Sequence, residues 1–371
     1  MQPEGRVSDR DLTMMGRALE LAASVARTSP NPRVGALLER NGTVIAEAAH
    51  LGAGHPHAER AALEGTDASG ATLYINLEPC SHRTAVDGST RRPCCEAVVA
   101  AGIRRVVAAM EDPDPRVHGR GFEYLRSNGV DVEVGLLEDE ARRINAAFVH
   151  HRTTGRPLVT LKLALTLDGR LAAPDGTARW ITGPEARTQV HERRAIADAV
   201  MVGAGTIAAD DPQLTARDVD AARQPLRVLV DSSGRTKPDA KIFDGSGETL
   251  VATTDAAPHE AHTGWKEAGA DVIVLPAGGR GVDLAELLNV LGARRLLDLY
   301  CEGGAELATS LLAADLVDRL ELHYAPKLAG SGGPDIGDLG VRSMSDAKGW
   351  SITEEARRGR DLLVTLERGE R

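Results

Sequence analysis

The chain has few cysteines and no long apolar run, and both absences narrow the class of protein. Among its 371 residues there are only four cysteines, which argues against a secreted fold held by disulfides. No window reaches the roughly 18 unbroken apolar residues that a membrane-spanning helix needs. Residues 1–16 are polar and charged, without the apolar core of a signal peptide. We therefore expect a cytoplasmic protein.

Clustered positive charge is also missing. The formal net charge is −10, and Lys and Arg form no long run. Broad nucleic-acid binding needs clustered cations that contact phosphates, so the sequence argues against it. A single small phosphate-binding pocket remains compatible with this charge. With 42% hydrophobic and 26% charged residues, the composition is that of a globular protein long enough for two cores.

The chain does contain strand and helix patterns that alternate in two halves, which predicts an α/β fold for each half. The dipeptide Asn41-Gly42 predicts a hairpin between two short strands. Pro93 and Gly102 suit the start and the end of a helix. Residues 150–157 are polar and contain Gly and Pro, so we interpret them as a linker between a domain at 1–149 and a domain at 158–371.

Three of the four cysteines lie near a His-Ala-Glu sequence in the first half. The relevant segments are His57-Ala-Glu59, Glu78-Pro-Cys80 and Pro93-Cys-Cys95. Catalytic zinc takes three protein ligands and keeps a fourth position for water. His57, Cys80 and one of Cys94 or Cys95 supply that set, and Glu59 is placed to carry a proton. The pattern H-x-E with P-C-x-x-C is the established signature of zinc nucleobase deaminases.

Two features qualify this interpretation. A structural zinc site or reduced buried thiols are the alternatives, but a structural site would use four protein ligands and leave Glu59 without a role. The segment between the two cysteine motifs, residues 81–93, is also longer than the two residues of the general signature. A loop of that length can carry substrate contacts. The long spacing therefore reduces the number of deaminase families to which the chain can belong.

The second half offers two glycine-rich turns as candidate sites for a dinucleotide. The first, Gly203-Ala-Gly-Thr206, follows a predicted strand, but Asp210-Asp-Pro212 argues against a long helix there. The second, Glu302-Gly-Gly304, lies between a predicted strand and a helix predicted at 305–313. Backbone N–H groups at such a helix start bind pyrophosphate. For either turn, the alternative is that the glycines only allow close packing of the turn and bind no cofactor.

These segments resemble the bifunctional riboflavin-biosynthesis deaminase/reductase family over nearly the whole chain, from about Met14 to Leu366. In the first half the matching segments lie at residues 28–35, 56–59, 77–82, 93–94, 112–115 and 119–121. In the second half they lie at 162–169, 180–182, 203–206, 210–212 and 302–304. The resemblance implies a cytidine-deaminase-like three-layer domain followed by a dihydrofolate-reductase-like domain.

The resemblance also implies residue roles. Zinc would be held by His57, Cys80 and Cys94, with Glu59 as the catalytic proton shuttle. Asn31 and His82 would contact the pyrimidine, unless they are turn or capping residues. NADPH would be the second cofactor, and its contacts would be Ala164, Trp180, Thr206, Asp210, Ser232, Gly304, Ala305, Glu306, Leu307, Ala308, Thr309 and Ser310. Contacts to the reductase substrate would be Arg194, Leu214, Arg217 and Glu302. Arg235 and Lys237 are candidates for binding the 2′-phosphate of NADPH.

The expected function is therefore a two-step conversion in riboflavin biosynthesis. Zinc-dependent deamination of 2,5-diamino-6-ribosylamino-4-pyrimidinone 5′-phosphate would precede NADPH-dependent reduction of the ribosyl group to ribityl. The partner would be this small pyrimidine ribose phosphate, with no nucleic acid and no membrane, and we expect a homo-oligomer. Three alternatives remain: a tRNA-editing or nucleoside deaminase with an unrelated appendage, a chain with a disabled deaminase, and a non-enzymatic binding protein.

Overall fold

A computed structural model describes residues 8–82, 92–115 and 117–369 of the chain. The chain divides into two compact units between Gly155 and Arg156. Most of the long loop between the two cysteine motifs, at 83–91, lies outside the described residues. The substrate contacts expected in that loop therefore lie outside them as well.

The N-terminal unit is built on a mixed sheet with the strand order β2-β1-β3-β4-β5 within the described residues. The strands are β1 (Gly35–Arg40), β2 (Thr43–Ala49), β3 (Thr72–Ile75), β4 (Arg105–Ala108) and β5 (Asp131–Val134). β1 pairs antiparallel with β2 and β3, whereas β3-β4 and β4-β5 are parallel. Asn41 and Gly42 both have positive φ, 50° and 87°, which suits a two-residue hairpin turn. The predicted hairpin is confirmed.

Helices cover this sheet and carry the motifs of the first half. They are α1 (Asp9–Ser24), α2 (Ala58–Leu63), α3 (Cys94–Ala100), α4 (Arg120–Ser127), α5 (Glu138–Ile144) and α6 (Ala146–Thr154). Helix α1 packs on β1, β3 and α5, whereas α2 packs on β1, β2 and α3, and α3 packs on α4. Pro93 is the N-cap of α3, and Gly102 follows its end with a φ of 71°. The predicted boundaries of this helix are therefore confirmed within a residue.

The segment predicted as a linker, 150–157, is mostly helical. Helix α6 continues through Thr154 and ends at Gly155, whose φ is 77°. The hydroxyls of Thr153 and Thr154 donate to the carbonyls of Val149 and His150, so these polar side chains bond back to the helix. The polarity of these residues marks a helix surface up to Thr154, and the division into domains at 150–157 stays a prediction. The division between the two units falls at the end of α6.

The C-terminal unit contains a larger sheet with the order β10-β9-β8-β7-β13-β6-β14-β16-β15 in the described part of the chain. Its strands are β6 (Leu158–Thr166), β7 (Ala199–Gly203), β8 (Leu226–Val230), β9 (Thr249–Thr253), β10 (Asp271–Val274), β13 (Asp298–Cys301), β14 (Arg319–Ala325), β15 (Trp350–Arg358) and β16 (Asp361–Arg368), and a small hairpin is formed by β11 (Ala277–Gly278) and β12 (Gly281–Val282). Pairing is parallel from β10 to β14 and antiparallel for β14-β16 and β16-β15.

Apolar side chains fill both faces of this sheet. Met201 of β7 packs in one cluster with Leu161 and Leu311, whereas Val202 packs in another with Trp265. Such alternation is typical of a parallel strand covered on both faces. The covering helices are α7 (Pro184–Ile196), α8 (Ala204–Asp210), α9 (His259–Glu267), α10 (Leu284–Ala293) and α11 (Ala305–Ala313). Among the described helices, none has the length and apolar character that crossing a bilayer requires.

Substitution of Gly35 by alanine is expected to destabilise the N-terminal unit. An added Cβ would lie 2.0 Å from the carbonyl oxygen of Ala18 and 2.7 Å from the amide nitrogen of Ala22, both in α1. Helix and strand would have to separate, at a cost of about 1–3 kcal/mol. Gly16→Ala is the matched control, since a Cβ there meets nothing within 4 Å apart from its chain neighbours and the nearby backbone of its own helix, and should add about 0.5–1 kcal/mol of stability. Chemical denaturation measures both, and wild-type stability in Gly35→Ala would contradict the expected clash.

Candidate active sites

Three side chains with metal-ligand chemistry come together in the N-terminal unit. His57 is the N-cap of α2, Cys80 follows β3 and Cys94 is the first residue of α3. Their ligand atoms lie within 4.8 Å of one another, and within the described residues they form a candidate metal-binding group. His57 Nδ1 is 3.3 Å from Cys94 Sγ and 3.7 Å from Cys80 Sγ. Tetrahedral zinc requires a nitrogen–sulfur separation of about 3.6 Å, so the group fits zinc.

The electrostatics of the two cysteines also suit a cation. The hydrogen bond with Cys94 and the neighbouring His57 lower the pKa of Cys80 to about 3, although burial opposes this. The same hydrogen bond and burial raise the pKa of the Cys94 thiol. A zinc ion supplies the positive charge that allows both sulfurs to ionise.

Glu59 lies beside this group and outside the ligand set. Its side chain is buried, and its Oε2 atom has no hydrogen-bond partner among the described residues. Burial raises the pKa of this carboxyl, despite the opposing charge of His57. An unpaired carboxyl oxygen next to a metal site is suited to accepting and releasing a proton.

Cys95 is separated from the ligand group by the geometry of α3. Successive helix residues point in directions that differ by about 100°, so Cys94 and Cys95 cannot both face His57. Cys95 is buried, and burial raises its pKa to about 11. Of the two alternatives left open by the residues alone, the structure favours Cys94 as the third ligand.

The two residues expected to contact the pyrimidine differ in their surroundings. Asn31 Nδ2 donates to Nε2 of His50, at 3.0 Å, and His50 Nδ1 donates to the carbonyl of Pro56, at 2.8 Å. The His50 ring also packs edge-on against His57, with 5.3 Å between ring centroids. The Asn31 amide is therefore tied to the metal-ligand group through His50. His82 is exposed, two residues after Cys80.

The glycine turn of the C-terminal unit lies between β13 and α11, as expected. The amide of Gly304 donates to Thr206 Oγ1 at 3.0 Å, which brings two of the expected cofactor contacts together. A Cβ at Gly303 would lie 2.9 Å from the Leu307 side chain, so only glycine fits there without a shift. The other turn leads into α8, which ends at Asp210 after seven residues. This helix is short, as predicted.

The first turns of α11 offer mainly backbone groups to a cofactor. Leu307, Ala308 and Thr309 have buried side chains, whereas Gly304 and Glu306 are exposed. Thr309 Oγ1 donates to the carbonyl of Ala305 and accepts from a backbone amide. Backbone N–H groups at a helix start are the groups that bind pyrophosphate, so this segment fits the dinucleotide.

The other expected cofactor contacts are spread over several elements. Trp180 is 61% exposed, and the guanidinium of Arg187 lies 4.4 Å from its ring centroid. Asp210 pairs with Arg179, the residue before Trp180, at 3.3 Å. Ala164 lies on β6 and Ser232 follows β8. Among the described residues, no hydrogen bond or ion pair joins these last two to the other candidates.

Arg194 and Glu302 form a buried ion pair. Arg194 Nε and Nη2 contact the two carboxylate oxygens of Glu302 at 2.6 and 2.9 Å, and Arg194 Nη1 donates to the carbonyl of Thr215 at 3.1 Å. Burial raises the pKa of Glu302, but the Arg194 charge outweighs it and the pKa is lowered. Burial lowers the pKa of nearby Lys162, although Glu302 opposes this. The positive charge of Arg194 is thus already neutralised.

Arg217 has a different environment. Its side chain is exposed, and Nη1 donates to Gln213 Oε1 at 2.9 Å and to Thr215 Oγ1 at 2.8 Å. Both acceptors are neutral, and no ion pair of Arg217 exists among the described residues. Leu214, in the same loop, has a buried side chain and a φ of 60°, so it offers a substrate only its backbone. Of the two arginines expected to contact the substrate, Arg217 is thus the one without an ion pair among the described residues.

Three residues near these sites were not assigned a role from the sequence. His50 and Gln213 belong to no recognisable chemical pattern, and Lys162 appeared only as part of a matching segment. Burial of a histidine or a lysine becomes visible only when the strands are assembled. A search of β6 for charged residues would have detected Lys162, because the rest of the strand consists of apolar residues and threonines.

Comparisons with known proteins agree with these two sites. The family model "Cytidine and deoxycytidylate deaminase zinc-binding region" matches residues 8–110, and "RibD C-terminal domain" matches residues 157–357. The Escherichia coli riboflavin biosynthesis protein RibD is 39% identical, over 96% of this chain and 99% of that protein.

Solved structures extend the similarity to the fold. The structure of Acinetobacter baumannii RibD matches with a TM-score of 0.86 and 33% identity, covering 97% of this chain and 99% of that one. A Thermotoga maritima structure, described as a diaminohydroxyphosphoribosylaminopyrimidine deaminase/5-amino-6-(5-phosphoribosylamino)uracil reductase, matches with a TM-score of 0.83 and 33% identity. It covers 96% of this chain and 98% of that one.

Fold and sites together define a bifunctional enzyme, a zinc-dependent deaminase followed by an NADPH-dependent reductase. The chain belongs to the RibD family of riboflavin biosynthesis. The expectations about fold class, enzyme class and both cofactors are therefore confirmed.

Replacement of Cys94 by serine is expected to abolish zinc binding, whereas Cys95→Ser should retain it. The Cys94 sulfur belongs to the ligand group and the neighbouring sulfur does not. The two variants are matched, since both cysteines are buried in the same helix turn. Metal analysis of the purified proteins should show one zinc per chain in the wild type and in Cys95→Ser. Full zinc content in Cys94→Ser would reject this ligand assignment.

Proposed function

We propose that this chain deaminates 2,5-diamino-6-ribosylamino-4-pyrimidinone 5′-phosphate and then reduces the product, 5-amino-6-(5-phosphoribosylamino)uracil, to its ribityl form. The observation that carries the proposal is the buried zinc-ligand group beside Glu59, in a chain whose second unit presents an unneutralised Arg217. The Thermotoga maritima relative is named for the same two reactions. Both steps act on the same ribose phosphate.

In the deaminase site, His57, Cys80 and Cys94 would hold the zinc ion. Bound zinc supplies Lewis-acid activation of the attacking water. Glu59 takes up the proton that water loses and passes it to the departing ammonia, with Oε2 as the available atom. Asn31, oriented by His50, and His82 would position the pyrimidine.

In the reductase site, Gly303, Gly304 and the first N–H groups of α11 would bind the pyrophosphate of the dinucleotide. Bound NADPH supplies the hydride. Arg217 would bind the 5′-phosphate of the substrate, since a guanidinium matches phosphate geometry. Arg194, neutralised by Glu302, holds the carbonyl of Thr215 and so supports the loop that carries Arg217.

The remaining parts of the proposal concern location and assembly. We place the reactions in the cytoplasm, because a phosphorylated substrate does not cross a bilayer unaided. We also propose a homo-oligomer. Strand β15 supports this, because it ends the larger sheet in the described part of the chain, and an edge strand can pair with a strand of a second copy. Native mass spectrometry reports the state, and a monomer at all concentrations would reject it.

The proposed function is tested by incubating the full-length protein with the diaminopyrimidinone phosphate and identifying the products by mass. Without NADPH, the expected product has oxygen in place of an amino group, with release of ammonia. With NADPH, the ribityl product should follow. Glu59→Gln should slow deamination by roughly 10²–10⁴-fold, while zinc content and reduction of the deaminated substrate remain. Reduction without prior deamination, or rapid deamination by Glu59→Gln, would contradict the proposal.

The reductase is expected to prefer NADPH over NADH, with Arg235 as the residue that binds the 2′-phosphate. Asp231 accepts hydrogen bonds from the backbone amides of residues 233–236, which fixes the loop after β8. Arg235 Nη2 thereby lies 4.0 Å from Glu306 at the start of α11, and both side chains are exposed. The described contacts join Lys237 to no residue of α11.

Arg235→Ala should therefore raise KM for NADPH about ten- to a hundredfold and spare KM for NADH, because a charge-assisted contact of roughly 1.5–3 kcal/mol is lost. Lys237→Ala is the control and should change neither value. Steady-state kinetics with both cofactors measures this. Equal use of NADH and NADPH by the wild type would defeat the expected preference, and an effect of Lys237→Ala alone would reassign the cation.

A further inference from the structure

The loop that carries Arg217 is held from several sides. The carbonyl of Gln213 accepts from Arg227 Nη1 at 3.3 Å, and the carbonyl of Thr215 accepts from Arg194 Nη1 at 3.1 Å. Gln224 bonds both backbone groups of Ala216, at 2.8 and 3.1 Å. Within this loop Leu214 has a φ of 60°, a conformation that a branched side chain keeps only when its surroundings hold it. The backbone position of the loop is thus predetermined by the fold.

A line of side chains leads from the sheet to the Arg217 guanidinium. Arg227 on β8 is 1% exposed and pairs with Asp244 at 2.9 Å. Asp244 Oδ2 accepts from Gln213 Nε2 at 2.5 Å, and Gln213 Oε1 accepts from Arg217 Nη1 at 2.9 Å. The orientation of the Gln213 amide is unambiguous, since a carboxylate only accepts hydrogen bonds and a guanidinium only donates them.

Along this line of side chains, the positive charge of Arg217 is the one that no neighbour in the line compensates. The Arg227 charge compensates that of Asp244, and Gln213 is neutral. Arg217 is therefore oriented without being neutralised, in contrast to Arg194, which is paired with Glu302. A flexible arginine loses side-chain entropy when it binds a phosphate, and an arginine that is already held loses less.

We propose that Gln213, anchored through Asp244 to the buried Arg227, is a positioning residue that holds the Arg217 guanidinium ready for the 5′-phosphate of the reductase substrate. This inference rests on the proposed function. Gln213 does not touch the reacting atoms, so it acts on binding of the phosphorylated substrate and leaves the chemical step unchanged.

The test compares the phosphorylated reductase substrate with its dephosphorylated form, using the full-length protein and saturating NADPH. Gln213→Ala should raise KM for the phosphorylated substrate about five- to tenfold, the effect of losing one orienting hydrogen-bond network. The value of kcat should stay unchanged, and so should kcat/KM for the dephosphorylated substrate. In an Arg217→Ala background, Gln213→Ala should have no further effect on the phosphorylated substrate, because the oriented group is gone.

Gln224→Ala is the matched control. It makes the same chemical change in a side chain that holds the same loop through Ala216, and no described hydrogen bond joins it to Arg217. Its effect on the ratio of the two substrates should be smaller. An equal loss with both substrates in Gln213→Ala, or an equal effect of Gln224→Ala, would assign Gln213 to general loop stability and overturn the proposal.

One further outcome separates this inference from the proposed function. If Arg217→Ala discriminates against the phosphorylated substrate and Gln213→Ala does not, the positioning role is rejected while the phosphate assignment stands. If Arg217→Ala itself leaves the ratio of the two substrates unchanged, Arg217 does not bind the phosphate. The proposed role of Arg217 then fails, and the positioning role of Gln213 fails with it.

Discussion

Burial of a charged group is costly unless an opposite charge or a set of hydrogen-bond donors compensates it, and both sites of this chain depend on that constraint. In the N-terminal unit, Cys80 and Cys94 are buried, and a zinc ion would compensate the negative charge of their thiolates. In the C-terminal unit, Arg194 and Glu302 neutralise each other. The Oε2 atom of Glu59, which has no hydrogen-bond partner among the described residues, is then available for chemistry.

The same constraint shapes the backbone around the sites. Glu78, buried two residues before Cys80, accepts hydrogen bonds from the amides of Asp112, Gly119 and Gly121, at 3.1, 2.9 and 2.7 Å. This gives a physical reason for the matching segments at 112–115 and 119–121, which wrap around one carboxylate. Asp231 fixes the loop after β8 in a similar way. In both units a buried carboxylate determines the shape of a loop next to a site.

The deaminase site was predictable from the sequence because its ligands stand in short motifs at the ends of regular elements. Pro93 at a helix start and Asn41-Gly42 at a hairpin turn act through their own backbone preferences, which do not depend on distant residues. The last two strands, β15 and β16, were not predicted. β15 is a largely exposed edge strand in which four of nine residues are charged, so it lacks the apolar alternation by which strands are recognised.

The sequence by itself determined the zinc-ligand types, the helix start at Cys94 and the glycine turn before α11, because each follows from local residue chemistry. Only the tertiary structure decided which of the two arginines in the reductase site has its charge neutralised by an ion pair. Arg194 and Arg217 look alike in the sequence, but Glu302 lies 108 positions from Arg194 and neutralises it. Gln213 orients Arg217 and is itself held by Asp244, which lies 31 positions from Gln213 in the sequence. Such pairings depend on how strands and loops assemble, and a linear pattern carries no information about that assembly.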